Sequence, residues 1–433
     1  MSESSSTLRD ILLQLSEQIT ESLRCTAHTQ PEGHNISVKA ILDPLLPTKT
    51  SLNNLNIHAS IKDFALACSL LSSASFKSLT NDYSGLLSCI PNHLSGLASS
   101  SLFQFSKSYL TAFGDRNSNK ISELGLDWAL VTEEKRLMVE LMPEVLPLLK
   151  EKIKESSIDK SDESDEFSAA SARAPVGFAI VAAYQFRWFV TQVDYPHLGK
   201  LCCLLIPCAL TALDHWSPEV KGQGMFSFTH LAKNVNTAEL CWYEDVILDA
   251  CCQNIASSDE IWRNVVEMAV ALVTCTQKSN PRSTWSEKML IEMLSHLERQ
   301  PKNKERRIAW LEFVEPLFNG VGLVLLAHFR RVFPLFFKWI HADDDETVQL
   351  VLRRIYTVLR LTWIRNTPYI ERLLDELAVL YKEAALRRAR EEIRTKIREI
   401  LILLQQSKGL QFSTAWNKHR DDPNLITLGP PLT

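Results

Sequence analysis

From Leu201 to Leu404, apolar runs with helical spacing alternate with short polar breaks, and the breaks recur at a regular interval. The first is at Pro218 in Asp214-His215-Trp216-Ser217-Pro218-Glu219, the second at Asp259 in Ser257-Ser258-Asp259-Glu260. The third is at Lys302 in Gln300-Pro301-Lys302-Asn303, and the fourth at Asp344 in Ala342-Asp343-Asp344-Asp345-Glu346. Successive breaks are 41, 43 and 42 residues apart. Two of the apolar runs also resemble each other, Leu205-Ile206-Pro207-Cys208-Ala209-Leu210 and Val332-Phe333-Pro334-Leu335-Phe336-Phe337.

A period of about 40–47 residues holding two helices is the pattern of HEAT and armadillo repeats. One helix pair cannot bury its apolar face alone, so such pairs must stack, and the stack presents a long surface to partners. The expected fold is therefore all-α, an α-solenoid of HEAT/armadillo-like helical hairpins. Only 13 glycines among 433 residues agrees with helices joined by short turns.

The first half is less regular. The spacing predicts a first helix with Leu8, Ile11, Leu12, Leu15, Ile19 and Leu23 on one face, capped by Ser5 or Ser6. A polar loop around His28–Asn35 follows. From Val38 to Phe113 helical patterns alternate with breaks at Pro47–Asn54, Asn81–Tyr83 and Pro91–Asn92, without a fixed register. Ile121 to Ile153 reads as one or two helices, with Pro143 able to open the second because a first turn needs no amide donor. Residues 1–155 are thus irregular helical repeats.

Residues 156–175, beginning Ser156-Ser157-Ile158-Asp159-Lys160-Ser161, lack the apolar content to offset chain entropy and are expected as a flexible acidic linker. Regular repeats are expected over 176–408. They open with Val176–Val193, apolar nearly all round and so expected to be buried between neighbours. They close with the stripe Ile393, Ile397, Ile400, Leu401 and Leu404, opposite Arg394, Lys396 and Arg398. Residues 409–433, ending Gly429-Pro430-Pro431-Leu432-Thr433, are expected as a flexible tail.

Hydrophobic residues make up 45 % and charged residues 23 %, and the net charge of −4 gives no overall attraction to nucleic acid. Most of the ten cysteines fall in apolar helical runs without a C-x-x-C pair, which predicts reduced core residues in a cytosolic or nuclear protein. Met1-Ser2-Glu3-Ser4-Ser5-Ser6 lacks the basic flank and apolar stretch of a signal peptide. The runs Leu201–Leu210 and Val321–Phe329 are shorter than the ~20 residues that span a bilayer, so a soluble protein is expected.

Little points to catalysis. Gly222-Gln223-Gly224 lacks the third glycine and the strand of a dinucleotide fingerprint, and is read as a close approach between helices. The acidic run after His341 has metal-ligand chemistry, but acidic residues also belong at a helix start, where they meet the positive end of the dipole. No cofactor, metal or catalytic residue is expected. None of the ten tryptophans has Asn four residues later, so the ladder with which importin-type repeats grip extended cargo is missing. Most indoles should fill junctions between helices.

Three features are candidates for binding or regulation. Ser161 and Ser164 each precede Asp-Glu, the context favoured by acid-directed kinases, and their phosphates would suit an arginine pocket. Phe329, Phe333, Phe336 and Phe337 hold more apolar area than one helix pair normally hides, so they could form a partner face, with dense core packing as the competing reading. The basic cluster Arg387, Arg388 and Arg390 could join that face, or belong to a solvated helix surface laced with Glu391 and Glu392.

The run Tyr195-Pro196-His197-Leu198-Gly199, continuing through Leu205-Ile206-Pro207, Leu213-Asp214-His215-Trp216 and Pro218-Glu219-Val220-Lys221-Gly222-Gln223-Gly224, resembles the TELO-two-interacting-protein-two family. Val235-Asn236-Thr237-Ala238-Glu239-Leu240 fits the same pattern, and the likeness covers roughly Val176 to Leu404. The resemblance implies an α-solenoid subunit of the TTT complex, a non-catalytic scaffold in the cytoplasm and nucleus. Such a subunit assists chaperone-dependent maturation and stability of phosphatidylinositol 3-kinase-related kinases. Its partners would be the other TTT subunits, the chaperone machinery and those kinases, without nucleic acid or membrane. The alternatives are another HEAT or armadillo adaptor, for nuclear transport or as a phosphatase scaffold, and a helical enzyme with its site between repeats.

Overall fold

The computed structural model describes residues 2–25, 36–49, 57–76, 90–113, 132–156, 174–278, 283–363 and 368–425, with residues 87, 280 and 428. Among these the regular structure is helical, with no strand. The chain packs as two units, Met1–Ala250 and Cys251–Thr433.

The first unit contains α1 (Ser2–Cys25), α2 (Val38–Leu42), α3 (Ile57–Ser73), α4 (Asn92–Phe113) and α5 (Glu133–Glu155). It continues with α6 (Val176–Thr191), α7 (Cys202–Asp214), α8 (Pro218–Asn234), α9 (Thr237–Leu240) and most of α10 (Glu244–Asn254). The pairs α3/α4, α5/α6 and α7/α8 stack in two rows. In one row α5 lies between α4 and α7; in the other α6 lies between α3 and α8. The α1 stripe packs on α4, with Leu8, Leu12, Leu15, Ile19 and Leu23 all buried. As its composition requires, α6 is enclosed, and Ile180, Phe186 and Phe189 lose all their exposure.

That enclosure forces polar groups on α6 and α8 to satisfy each other, because a buried carboxylate without partners costs several kcal/mol. Tyr184 Oη donates to Glu219 Oε1 at 2.5 Å and Gln223 Nε2 donates to the same oxygen at 3.0 Å. Arg187 Nη1 donates to Gln223 Oε1 at 3.0 Å while its guanidinium lies between the rings of Phe76 and Phe226. Burial lowers the Arg187 pKa to about 10, so the side chain stays charged at neutral pH.

The division expected at 156–175 is not where the units part. Residues 157–173 lie outside the described set, and the helices on either side of them, α5 and α6, pack together as a hairpin inside the first unit. Ser156, expected in the linker, is buried. Its hydroxyl pairs with His215 Nε2 at 3.0 Å, and its carbonyl accepts from Trp216 Nε1 at 3.1 Å.

The second unit contains α11 (Asp259–Thr276), α12 (Thr284–Arg299), α13 (Lys304–Phe313), α14 (Glu315–Val321) and α15 (Phe329–Trp339). After these come α16 (Asp345–Leu361), α17 (Ile370–Glu383), α18 (Arg390–Lys408) and α19 (Leu410–Trp416). Helices α11, α13, α16 and α18 form one row, each touching the next, and begin at residues 259, 304, 345 and 390. The sequence breaks at Asp259, Lys302 and Asp344 are therefore the starts of successive row helices. Helices α12, α15, α17 and α19 lie against that row. This is the repeat stack of an α-solenoid.

Two expectations are corrected here. Residues 409–425 are not a loose tail: Gly409 reverses the chain at φ +49°, and α19 then buries Phe412 and Trp416 against α17 and α18. The apolar stretch Glu315–Trp339 reaches bilayer-spanning length and composition, longer than the runs singled out in the sequence. It is not one helix, because Gly322 at φ +57° and a 3₁₀ segment, Gly322–His328, separate α14 from α15.

Candidate interaction surface

Repeat helices must be held in register at their ends before they can display anything. In the second unit a chain of arginine–aspartate contacts does this at the row-helix N-termini. Arg306 Nε pairs with Asp259, Arg306 Nη2 donates to Ser257 O at 3.0 Å, and its guanidinium covers the Trp262 ring at 4.5 Å. Trp262 Nε1 donates back to Arg306 O at 3.3 Å, and Trp339 Nε1 to Pro301 O at 2.8 Å. One step on, Arg307 Nη2 meets Asp344 Oδ2 at 2.6 Å, and Asp344 Oδ1 caps α16 by accepting from Thr347 N at 2.9 Å. One step further, Arg387 pairs with Asp345 at 3.2 Å and donates to Ala342 O at 2.8 Å, while Asp345 accepts from Ala389 N at 3.0 Å. These donors hold Asp345 below the usual carboxylate range, the Ala389 amide contributing most.

This explains several sequence-stretch candidates at once. Asp344 and Asp345 are committed to caps and arginines. His341 lies between Glu376 at 2.9 Å and Glu383 at 2.8 Å. Among the described residues no group of three or more His, Cys, Asp or Glu side chains is placed to hold a metal. Arg387 is a register contact and not a free partner-binding cation. Arg388 and Arg390 are exposed at the start of α18, where Arg390 pairs with Glu391 at 3.3 Å.

The four phenylalanines do not form an open face. Phe329, Phe333, Phe336 and Phe337 are all buried. Tyr369 stacks on Phe333 with centroids 5.0 Å apart, Phe336 meets Trp310 at 6.4 Å, and Arg372 covers Phe337 at 4.4 Å. Aromatic area that one hairpin cannot hide is covered by the neighbouring repeats, so the packing reading holds. Ser161 and Ser164 lie outside the described residues.

The glycine pair behaves as a helix contact. A Cβ on Gly224 would lie 3.0 Å from Ala212 Cβ and 3.2 Å from Ala209 O, so α8 approaches α7 closely enough that even a methyl group would press on its neighbours. The cysteines are mixed: Cys68, Cys202, Cys208 and Cys251 are buried, but Cys25, Cys203 and Cys241 are exposed, correcting the expectation of an all-core set. Burial pushes the Cys202 thiol up to about 12. A cavity of about 350 Å³ between α1 and α4 is lined by Thr7, Leu8, Ile11, Ser108, Thr111 and Ala112, and so carries no acid or base.

What the second unit leaves in solvent is the outer face of its helix row. On α16 the exposed positions are Glu346 in the first turn, then Arg353, Tyr356, Arg360 and, one residue past the helix cap, Trp363. The 3–4–3 spacing of the last four puts them on one stripe. At the ninth position of each row helix stand Glu267, Glu312, Arg353 and Arg398, acidic on α11 and α13 but basic on α16 and α18. Glu312 is paired with Arg263 at 2.8 Å. Beyond the stripe, Leu323 and Val324 in the 3₁₀ segment after α14 and Leu410 at the start of α19 are exposed, and Lys408 Nζ ties α18 to Trp363 O at 2.7 Å. The stripe is the feature that sequence reading missed, although its 3–4–3 spacing was there to be read.

The chain is 55 % identical over 428 residues to an Arabidopsis thaliana protein with the name "Uncharacterized protein At2g39910", covering 99 % of this chain and 95 % of that one. The chain belongs to the At2g39910 family. No family model matches the chain. Among solved structures, an engineered protein that was a Northeast Structural Genomics target is similar at TM-score 0.42 and 11 % identity, over 90 % of this chain and 96 % of that one. Kap95p, from a complex with RanGDP, gives TM-score 0.46 at 12 % identity over 88 % of this chain and 50 % of its own. Kap121p gives 0.32 at 11 % over 90 % and 46 %. None reaches 0.5, and these likenesses say nothing of what members of the At2g39910 family bind.

Proposed function

We propose that this protein is a non-catalytic helical-repeat scaffold, and that it serves as a subunit of the TTT complex in the cytoplasm and nucleus. In that role it supports chaperone-dependent maturation and stability of phosphatidylinositol 3-kinase-related kinases. The observation that carries the scaffold part is the division of labour in the second unit. Its aromatic and ionic side chains are spent on register between repeats, as at Arg307–Asp344 and Phe333–Tyr369, while one continuous row of helix faces stays open. Exposed Trp, Tyr and Arg on such a face are the residue types that anchor protein interfaces. The TTT assignment rests on the motif resemblance between Val176 and Leu404.

Purification of the tagged full-length chain from its native cells, followed by mass spectrometry, tests the reading. Recovery of TTT subunits and very large kinases supports it. Recovery of nuclear-transport cargo or phosphatase subunits in their place would assign the stack to another adaptor class.

A further inference from the structure

The stripe on α16 has a composition that the fold does not require. Its inward face, Val348, Val351, Leu352, Ile355, Val358 and Leu359, supplies the packing. The inner arginine, Arg354, pairs with Glu315 at 2.6 Å. Among the described residues, Arg353, Arg360 and Arg398 make no ion pair, although Glu315, paired with Arg354, is near enough to Arg360 for that cation to help lower its pKa. These cations are thus available, and Tyr356 and Trp363 stand between and beyond them with exposed rings.

We propose that this stripe is a docking site for an extended acidic segment of a partner protein. Arg353 and Arg360 are seven residues apart on the helix, so about 10 Å along its axis. In a polyproline-II segment, with three residues per turn, carboxylates three residues apart share a face and stand about 9 Å from each other. Such a segment lying along α16 places one carboxylate on each arginine, with the residues between them passing beside Tyr356. Trp363 closes the far end. Arg398 occupies the position on α18 that Arg353 occupies on α16, about 8–10 Å away between neighbouring axes, and can take a further acidic residue. Arginine suits this task because its planar fork accepts a carboxylate through two hydrogen bonds.

A polyphosphate fits less well. Exposed carboxylates flank the stripe, Glu346 one heptad before Arg353 on α16 itself, Glu312 on α13 and Glu391 and Glu399 on α18. A nucleic acid carries charge at every nucleotide and would run over them, whereas a short peptide with its acidic residues gathered at the arginines stays within the stripe. The proposal concerns the α16 face and the neighbouring Arg398, and does not depend on which complex holds the protein.

The test is fluorescence anisotropy with the full-length chain and a dye-labelled peptide, Gly-Ser-Asp-Asp-Leu-Asp-Asp-Ser-Gly. Controls are the same peptide with every Asp replaced by Asn, and a twelve-nucleotide oligothymidylate. Binding of the acidic peptide should weaken by roughly tenfold or more on Asp-to-Asn replacement and, equally, in R353E/R360E. R388E/R390E, which reverses exposed cations outside the stripe, should leave it unchanged. If R353E/R360E melts below the unaltered chain, R353Q/R360Q takes its place. The proposal is overturned by no binding of the acidic peptide, by equal loss in R388E/R390E, by undiminished binding in R353E/R360E, or by tighter binding of the oligothymidylate.

Discussion

Arg307 and Asp344 meet at 2.6 Å although 37 residues separate them in the chain. The pair joins the first turns of α13 and α16, and both side chains are largely shielded from solvent. Burial alone would raise the Asp344 carboxyl, but Thr347 and Arg307 outweigh it and hold the group below its usual range. Asp344 therefore does two jobs, capping its own helix and clamping the preceding one.

Asp344→Ala removes both. A lost N-cap costs about 1 kcal/mol and a shielded ion pair about as much again, so a total of roughly 2 kcal/mol is expected. A double-mutant cycle with Arg307→Ala, read by urea unfolding, should give a coupling of about 1 kcal/mol. Strictly additive effects would mean that the two repeats are not joined through this pair.

Leu213 and Phe228 are almost fully buried on the facing helices α7 and α8. Leu213→Asp or Phe228→Asp leaves an unpaired charge there, at a cost of several kcal/mol. Thermal melting by circular dichroism should lose or strongly lower the transition. An unchanged curve in either variant would contradict the packing of this hairpin.

Close approach at Gly224 predicts a size limit. Gly224→Ala gains about 1 kcal/mol of helix propensity but presses on the Ala209 carbonyl and Ala212, so little net change is expected. Gly224→Leu should destabilise by about 1–3 kcal/mol through overpacking. Equal stability of the two variants would show that α7 and α8 have room to spare.

His215 is neutral in the folded chain. Burial lowers its pKa from 6.5 to about 4, against an opposing effect of Ser156. Its Nδ1 accepts from Ser217 N at 3.0 Å, which leaves the proton on Nε2, facing Ser156 Oγ. The unfolded chain binds a proton below pH 6.5 and the folded chain does not until about pH 4, so stability falls as pH falls through this window. The loss is about 2 kcal/mol at pH 5. Urea midpoints measured at pH 7 and pH 5 should differ less in His215→Gln than in the unaltered chain. The same pH dependence in both would remove His215 from the account.

The repeat frame was legible because it is local. Helical spacing and polar breaks placed the starts of α8, α11, α13 and α16 within two residues, and the α1 stripe needed only its own sequence. The errors are non-local. Phe329, Phe333, Phe336 and Phe337 read as surplus apolar area because Tyr369 and Trp310, which cover them, come from other repeats. The α19 helix was missed because the Gly429-Pro430-Pro431 end was read as setting the whole segment from 409, although Phe412, Ala415 and Trp416 have helical spacing. The arginine ladder was invisible as well, since charge runs at Arg306 and Asp344 look like solvated surface until the helices are brought side by side.

The proposed role is for this stack to act by being held within a kinase-maturation assembly and not by chemistry of its own. Depleting the chain in its native cells and measuring the protein and transcript levels of phosphatidylinositol 3-kinase-related kinases tests it most directly. The account predicts a severalfold fall in kinase protein with transcripts unchanged, restored by re-expression of the intact chain. Unaltered kinase levels after complete depletion would contradict it.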